Sequence, residues 1–466
     1  MTIHRTKRAF LAGAGVASIT PSAEHLAGAE LFLAGYGGYR FRPAGGAREE
    51  LFARAVVVQA PGGATGEAPG GAPGEATGSV PGEAPATVVS EGLGGATGEA
   101  QSGAQGESSG PLVWVAFDLL GLGDKTVKAI RDEAARRLGL SGAVILTSCT
   151  HTHSAPDLIG MWGGVPGAYR EYVVTQAVAA IARALESLAP AELYAGQADM
   201  SHANRNRRGW NRTDPKLTVL QLRKENGAAV ATLANFAAHP VIVGPENRLA
   251  ASDFAGPFVR AVEADTGGVA LFVQGAQGDV SPVQPDLPDD FERAARYGEL
   301  LARGVPQALK AAWRVGPGIR ARCHSVRAAV EAPELERAFR DGRVAPGYSV
   351  EADGEAVRVE MEVWRLSLGT GRETVEIACV PGEPTTRLGE RLRAAMPGRV
   401  NLVFGLAPAL YGYLIPEDEW MSAPRGAYEE TMSPGRGAGE LILRAVAADF
   451  CRGGASGFPA AEGFPG

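Results

Sequence analysis

The 466-residue chain predicts an α/β fold, with mixed β-sheets flanked by helices in a single large domain. Three observations predict it. Apolar runs of strand length alternate with amphipathic stretches of helix length. Apolar residues make up 45% of the chain, enough for a substantial core. Four of the apolar runs end in histidine, serine or carboxylate, and ligands of α/β sheets gather outside the carboxyl ends of strands.

The elements follow in order. "MTIHRTKR" before "AFLAGAGVASI" fits a signal peptide with small residues "AGA" at 27–29, or a first strand ending at "ITP". Two glycines interrupt the run and it stops early. We read a strand, which favours the cytoplasm over secretion. "ELFARAVVV" and "PLVWVAFDL" also read as strands. Between them, Gln59 to Gly110 contains no aromatic residue, lysine or arginine. Its glutamates, Glu67, Glu75, Glu83, Glu91, Glu99 and Glu107, recur every eight residues, and "GATGEA" at 63–68 returns at 95–100. That period matches neither helix nor strand, and glycine and proline break both. Such a segment cannot bury enough apolar surface to offset its ordering entropy. We expect 59–110 to be a disordered insertion in a domain spanning 1–454, with 455–466 a flexible tail.

"DKTVKAIRDEAARRLGL" reads as an amphipathic helix with Val127, Ile130, Ala134 and Leu138 on one face. "GAVILTSC" follows as a buried strand and "AYREYVVTQAVAAIARALESL" as a long helix. "AELYAGQADM", "KLTVLQLR" and "AAVATLANFAAHP" read as strands. "ASDFAGPFVRAVEADTG" begins a helix, "VALFVQGAQGD" is a strand, and "DDFERAARYGELLARGVPQALKAAW" is one long helix. "RVEMEVWRLSLG" and "ETVEIACV" form an antiparallel pair. "TTRLGERLRAAM" and "GELILRAVAADF" are late helices.

The formal charge of −7 is mostly a property of the repeat; without its six glutamates the remainder is about −1. No basic face suggests nucleic acid as a partner. Cys149, Cys323, Cys379 and Cys451 are scattered without a CxxC pair, so neither a disulfide framework nor a cysteine-type zinc site is expected. No run approaches the length of a transmembrane helix.

The chemistry concentrates at strand ends. "AVILTSC" leads into "THTHSAP", with His151 and His153. "AAVATLANFAAHP" ends in His239, "ALFVQGAQGDVSP" in Ser281, and "VEIACVPGEPTT" in Glu383. Imidazole nitrogen and carboxylate oxygen are what zinc binds, with one position left open. Zinc then polarises a carbonyl and lowers the pKa of water towards neutrality. Each residue also has a structural reading: a turn at His-x-His, a core histidine at His239, a helix N-cap at Glu383, a strand end at Ser281. Four coincidences at strand ends favour the site.

These residues resemble the neutral, non-lysosomal ceramidases, zinc amidases that split ceramide into sphingosine and a fatty acid. "TSCTHTHSAP" is similar to that family's Thr-His-Thr-His-Ser-Gly-Pro motif. "NFAAHPVIVGPENRLAASDFAG" resembles its second histidine segment, "QGAQGDVSPVQP" its serine motif, and "VPGEPTTRLGERLR" its Pro-Gly-Glu-Phe-Thr-Thr segment. "GLAPALYGYLIPEDEW" followed by "GAYEE" resembles its tyrosine segment, and the order agrees along the chain. The resemblance implies zinc ligands His151, His239, Glu383 and Tyr413, with His153 handling protons beside them. It implies Ser281 as nucleophile or positioning group, and Arg207 and Tyr428 as stabilisers of the developing oxyanion. The chain departs from the pattern at Ala155-Pro156-Asp157, at Val283 and at Arg208, and in a longer spacing before Tyr428. No stretch after the last predicted helix resembles the family's C-terminal β-sandwich.

The resulting reading is a zinc-dependent amidohydrolase cleaving the N-acyl amide of ceramide or a related lipid, with peripheral membrane contact and no transmembrane segment. The alternatives are a zinc hydrolase of a different amide or ester, and a non-catalytic binding protein that retains the fold.

Overall fold

The computed structural model describes residues 9–28, 30–37, 41–61, 98–101, 110–352, 356–371 and 373–451. The tail expected at 455–466 and most of the expected insertion lie outside the described residues. The first elements are β1 (Phe10–Ser18), β2 (Phe52–Gln59), β3 (Gly98–Gln101), β4 (Leu112–Phe117), α1 (Asp124–Leu138), β5 (Val144–Cys149) and α2 (Gly167–Glu186). Next come β6 (Ala189–Asp199), β7 (Asn204–Asn206), β8 (Lys216–Arg223), β9 (Ala229–Phe236), α3 (Ala255–Thr266), β10 (Val269–Gln274) and β11 (Val280–Pro282). Then follow α4 (Asp290–Ala302), α5 (Gly304–Lys310), β12 (Trp313–Val315), β13 (Ile319–Ala329), α6 (Pro333–Arg340), β14 (Val357–Leu368) and β15 (Val375–Cys379). The last are β16 (Glu383–Pro384), α7 (Thr386–Ala394), β17 (Val400–Phe404), β18 (Tyr413–Leu414), α8 (Tyr428–Thr431) and α9 (Ala438–Cys451).

Two mixed sheets stack face to face. The larger runs β10-β9-β8-β6-β1-β2-β4-β5, with β12 added to β6. Its two outer pairs, β10 with β9 and β4 with β5, are parallel, and the pairs between them are antiparallel. The smaller runs β17-β15-β14-β13-β3. Alternation decides which face each residue joins. In β4, Leu112, Trp114 and Ala116 enter the layer between the sheets, where they meet Leu366, Ile377, Leu402 and Phe404 of the other sheet. Val113, Val115 and Phe117 point the other way, under Ile130 and Ala134 of α1 and Val173, Ala177 and Ile181 of α2. Helices α3, α4 and α5 cover β8, β9 and β10 through Phe254, Phe258, Leu301 and Val305. Both sheets are thus mixed and flanked by helices, as the sequence predicts.

Several boundaries have local causes. The run "FLAGAGVAS" is β1, paired along its length with β2, and Gly13 and Gly15 let the backbone of α2 approach: a Cβ there would sit 2.0 and 2.3 Å from Ala184 O and Ala180 O. Helix α1 ends where Gly139 turns left-handed, at φ 69°. Asp289 caps α4 by accepting from the Glu292 amide at 2.9 Å. The single helix expected over 289–313 is two. Pro306 has no N–H to bond the Ala302 carbonyl, so α4 ends there and α5 begins. Within the segment read as disordered, Gly98–Gln101 instead form β3, an edge strand antiparallel to Ser325–Ala328 of β13.

Candidate metal centre and its apolar cleft

Three histidine-bearing or acidic segments meet at the carboxyl ends of β5, β9 and β15. His151 lies two residues past β5, in a left-handed conformation at φ 71°, with its amide bonded to Leu119 O. His239 lies three past β9, its amide bonded to Val280 O in β11. The Gln274 side chain, at the end of β10, ties the two loops together: Nε2 donates to Thr150 O and to Ala238 O, both at 2.8 Å. Glu383 opens β16, whose parallel partner β18 sets Tyr413 directly opposite.

These side chains converge. His151 Nε2 is 3.2 Å from His239 Nε2 and 3.1 Å from Glu383 Oε2; the His239–Glu383 separation is 3.6 Å. Bonds of about 2.0–2.1 Å in a tetrahedron put ligand atoms roughly 3.3–3.5 Å apart. Glu383 Oε2 is buried with no hydrogen-bond partner, a costly arrangement unless a cation meets it. His151 Nδ1 donates to Leu120 O at 2.8 Å, leaving the Nε2 lone pair free. Two groups meet His239 Nδ1: Gln277 O at 3.4 Å accepts a proton held there, which frees Nε2, whereas Arg207 Nη1 at 3.1 Å only donates and favours the other tautomer. The residues fit a zinc-type ion.

His153 differs from the other two histidines. The three can bring their ligand atoms within 4.8 Å of one another. However, His153 Nδ1 accepts from the Tyr36 amide at 3.1 Å, so in the neutral ring the proton sits on Nε2. That Nε2 is buried without a partner. Burial above all, then the nearby His151, Arg42 and Arg207, hold its pKa well below the usual histidine value, so the ring stays neutral. Geometry therefore sets His153 beside this cluster with a hydrogen donor on Nε2.

Arg207, just past β7, anchors the far side. It donates to Glu429 Oε1 at 2.9 Å, Gly278 O at 2.6 Å and the Tyr413 hydroxyl at 3.0 Å, and reaches His239 Nδ1 at 3.1 Å. Burial opposes its charge, but Tyr413, Glu429 and Glu383 outweigh that and raise its pKa overall. Burial and Glu383 push the Tyr413 hydroxyl up; a bound cation acts in the opposite direction.

His151 and Glu383 of the cluster line a cleft of about 600 Å3, open mouth included, while His239 does not. His151, His153, Glu383, Tyr413 and Tyr428 form its polar end, and most of the remaining wall is apolar, with Ile159, Met161, Leu335, Phe339, Leu410 and Met432. Tyr428 is half exposed and its ring lies 6.3 Å from that of Tyr413. Arg207 does not line the cleft. Neither does Ser281, which is buried in β11 opposite Arg205 of β7. Sequence reasoning missed Tyr36, Trp162 and Gln274. Tyr36 and Trp162 come from loops without periodicity. Gln274 did stand at a strand end, the position that singled out the histidines.

No model of a known protein family matches the chain. Among curated proteins, neutral ceramidase B of Dictyostelium discoideum is 26% identical over 38% of this chain, a stretch amounting to 28% of that relative's length. Among solved structures, the neutral ceramidase from Pseudomonas aeruginosa superposes with a TM-score of 0.69 at 18% identity, over 98% of this chain and 77% of that one. A ceramidase complexed with C2 gives 0.68 at 18% identity, over 96% and 76%.

Proposed function

On a chain with the neutral ceramidase fold, we propose a zinc-dependent amidohydrolase that cleaves the N-acyl amide of ceramide or a related lipid. One observation carries the reading: His151 and Glu383, which meet His239 within 3.2 and 3.6 Å, line a cleft that is otherwise mainly apolar. An alkyl chain fits such a wall, and the polar end receives the amide.

In this reading His151, His239 and Glu383 hold the ion and Tyr413 completes the set. The ion supplies a Lewis acid for the amide carbonyl and a nucleophile at neutral pH. His153, neutral and carrying its hydrogen on Nε2, donates a hydrogen bond in the cleft, while the proton that the leaving amine takes up comes from the attacking water. Tyr428 at the mouth donates to the carbonyl oxygen as negative charge develops there. Arg207 fixes the Tyr413 side chain from behind. Ser281, off the cleft, acts as a positioning group through β11 and its neighbour Val280, which holds the His239 amide.

The test combines metal content with turnover. Purified protein should carry about one zinc per chain. It should release free amine from detergent-dispersed short-acyl ceramide, and chelation should stop the release. His239→Ala and Glu383→Ala should each lose metal and activity with the fold retained. Full zinc occupancy in the double variant would overturn the site. A zinc-loaded protein inert on the ceramide but active on other amides or esters would move the substrate, leaving the metal centre in place.

A further inference from the structure

Asp157 is fully buried and collects four main-chain donors on its carboxylate. Oδ1 accepts from Ile159 at 3.1 Å and Gly160 at 2.8 Å; Oδ2 accepts from Trp162 at 2.6 Å and Gly164 at 3.0 Å. Such a set wraps the chain tightly around one side chain, and Gly160, Gly163 and Gly164 supply the positive φ the wrap needs, at 96°, 115° and 79°. The wrapped loop has two outputs. Ile159, Met161 and Trp162 face the cleft. The Trp162 indole also donates to Tyr36 O at 2.9 Å, and the Tyr36 amide donates to His153 Nδ1 at 3.1 Å. Tyr36 is itself held at φ 67°, a strained conformation for a non-glycine residue, so its placement depends on such contacts. Arg42 secures the other side of the junction by donating to His153 O at 2.6 Å.

We propose that Asp157 is a positioning residue with two effects: it builds the wall of the cleft that selects the acyl chain, and through Trp162 and Tyr36 it holds His153 with its Nε2 in the cleft. Neither Asp157 nor Trp162 is among the residues the proposed chemistry uses. The inference rests on the amidase reading, so its test includes an arm that needs no turnover.

Wild type, Asp157→Asn and Trp162→Phe are compared on N-acetyl, N-hexanoyl and N-dodecanoyl sphingosine in detergent, and for octanoate binding by calorimetry. An asparagine has one acceptor oxygen, so it keeps one donor pair, Ile159 with Gly160 or Trp162 with Gly164, and turns its own NH2 against the other, so the wall shifts. Asp157→Asn should change the ratio of kcat/KM between the longest and shortest chains by at least about tenfold, the scale of one or two lost methylene contacts, and weaken octanoate binding. Trp162→Phe keeps an aromatic ring in the wall and the main-chain bond to Asp157, and loses the indole donor with part of the ring volume. It should lower kcat at every chain length with KM nearly unchanged, the signature of a misplaced catalytic group. A folded Asp157→Asn with an unchanged chain-length profile and unchanged octanoate affinity overturns the selectivity effect. Trp162→Phe with unchanged kcat overturns the path to His153, and this variant decides even if Asp157→Asn does not fold. If wild type cleaves none of the amides, the amidase reading fails, and the octanoate arm alone decides whether Asp157 shapes a chain-binding wall.

Discussion

Two histidines one residue apart can take opposite roles because of what each Nδ1 touches. His151 Nδ1 donates a hydrogen bond to a carbonyl, while His153 Nδ1 accepts one from an amide. The His-Thr-His spacing was legible in the sequence; this difference was not, because the deciding amide belongs to Tyr36, 117 residues earlier. The same holds for Gln274, whose amide links the loops of His151 and His239. The buried acid just past β4 shows the opposite case. Asp118 accepts from the Phe52 amide at 3.0 Å, and burial raises its pKa to about 6. The unfolded chain releases that proton near 3.9. Between those values the folded state binds more protons, so this group's contribution falls as pH rises, and its full penalty is present above pH 6. Asp118→Asn keeps an acceptor for Phe52 and removes the penalty. Its Tm should match wild type at pH 4 and exceed it at pH 8, by an amount on the order of 1–3 kcal/mol of stability. Thermal unfolding at the two pH values measures it.

At the scale of elements, the long connection between β18 and α8 is fastened by arginines from the loop after β7. Arg212 pairs with Glu419 at 2.7 Å and Arg208 with Glu430 at 2.5 Å, while Glu429 is shared between Arg207 at 2.9 Å and Arg208 at 3.7 Å. Arg208 stood out in the sequence as a departure, as did the extra spacing before Tyr428. The structure joins the two departures: the added cation faces the acids that follow Tyr428. Removing one member of such a buried pair leaves a carboxylate without its partner, which costs about 3–5 kcal/mol. Arg208→Met should therefore lower stability by roughly that amount in urea unfolding. Arg208→Met with Glu430→Gln should recover part of the loss, and both variants should raise KM by freeing Tyr428. Equal stability of the single variant and wild type would mean the pair does not hold the connection. Other elements were illegible for a definable reason. β13 alternates as a strand should, but Arg320, Arg322 and Arg327 occupy positions of its 11 residues, and no apolar run marks it. β17 is five residues long and its neighbour β15 supplies the context that makes it a strand.

At the scale of the whole molecule, the two stacked sheets share one apolar layer, and the expected repeat insertion leaves and re-enters the larger sheet at β2 and β4 while its described stretch β3 joins the smaller. β2 belongs to the larger sheet and β3 to the smaller. The period of eight in the glutamates was plain in the sequence, but not that its end, from Gly98 to Gln101, adds to β13. A strand of such composition has little propensity of its own; the open edge of β13 supplies the partner. We propose that the repeat before it acts as a tether whose length matters little, and two deletions separate tether from strand. Removing three whole periods, residues 68–91, leaves β3 and a connection on both sides. Loop-closure entropy changes by only about 0.6 kcal/mol per halving of length, so Tm and zinc content should stay close to wild type. Removing residues 62–108 takes β3 as well and leaves the main-chain donors and acceptors of Ser325–Ala328 unpaired at an exposed edge. That variant should melt earlier and self-associate in light scattering, because an open edge pairs with another chain. If the shorter deletion alone lowers Tm by more than the second adds, the repeat carries structure of its own and the tether reading is wrong.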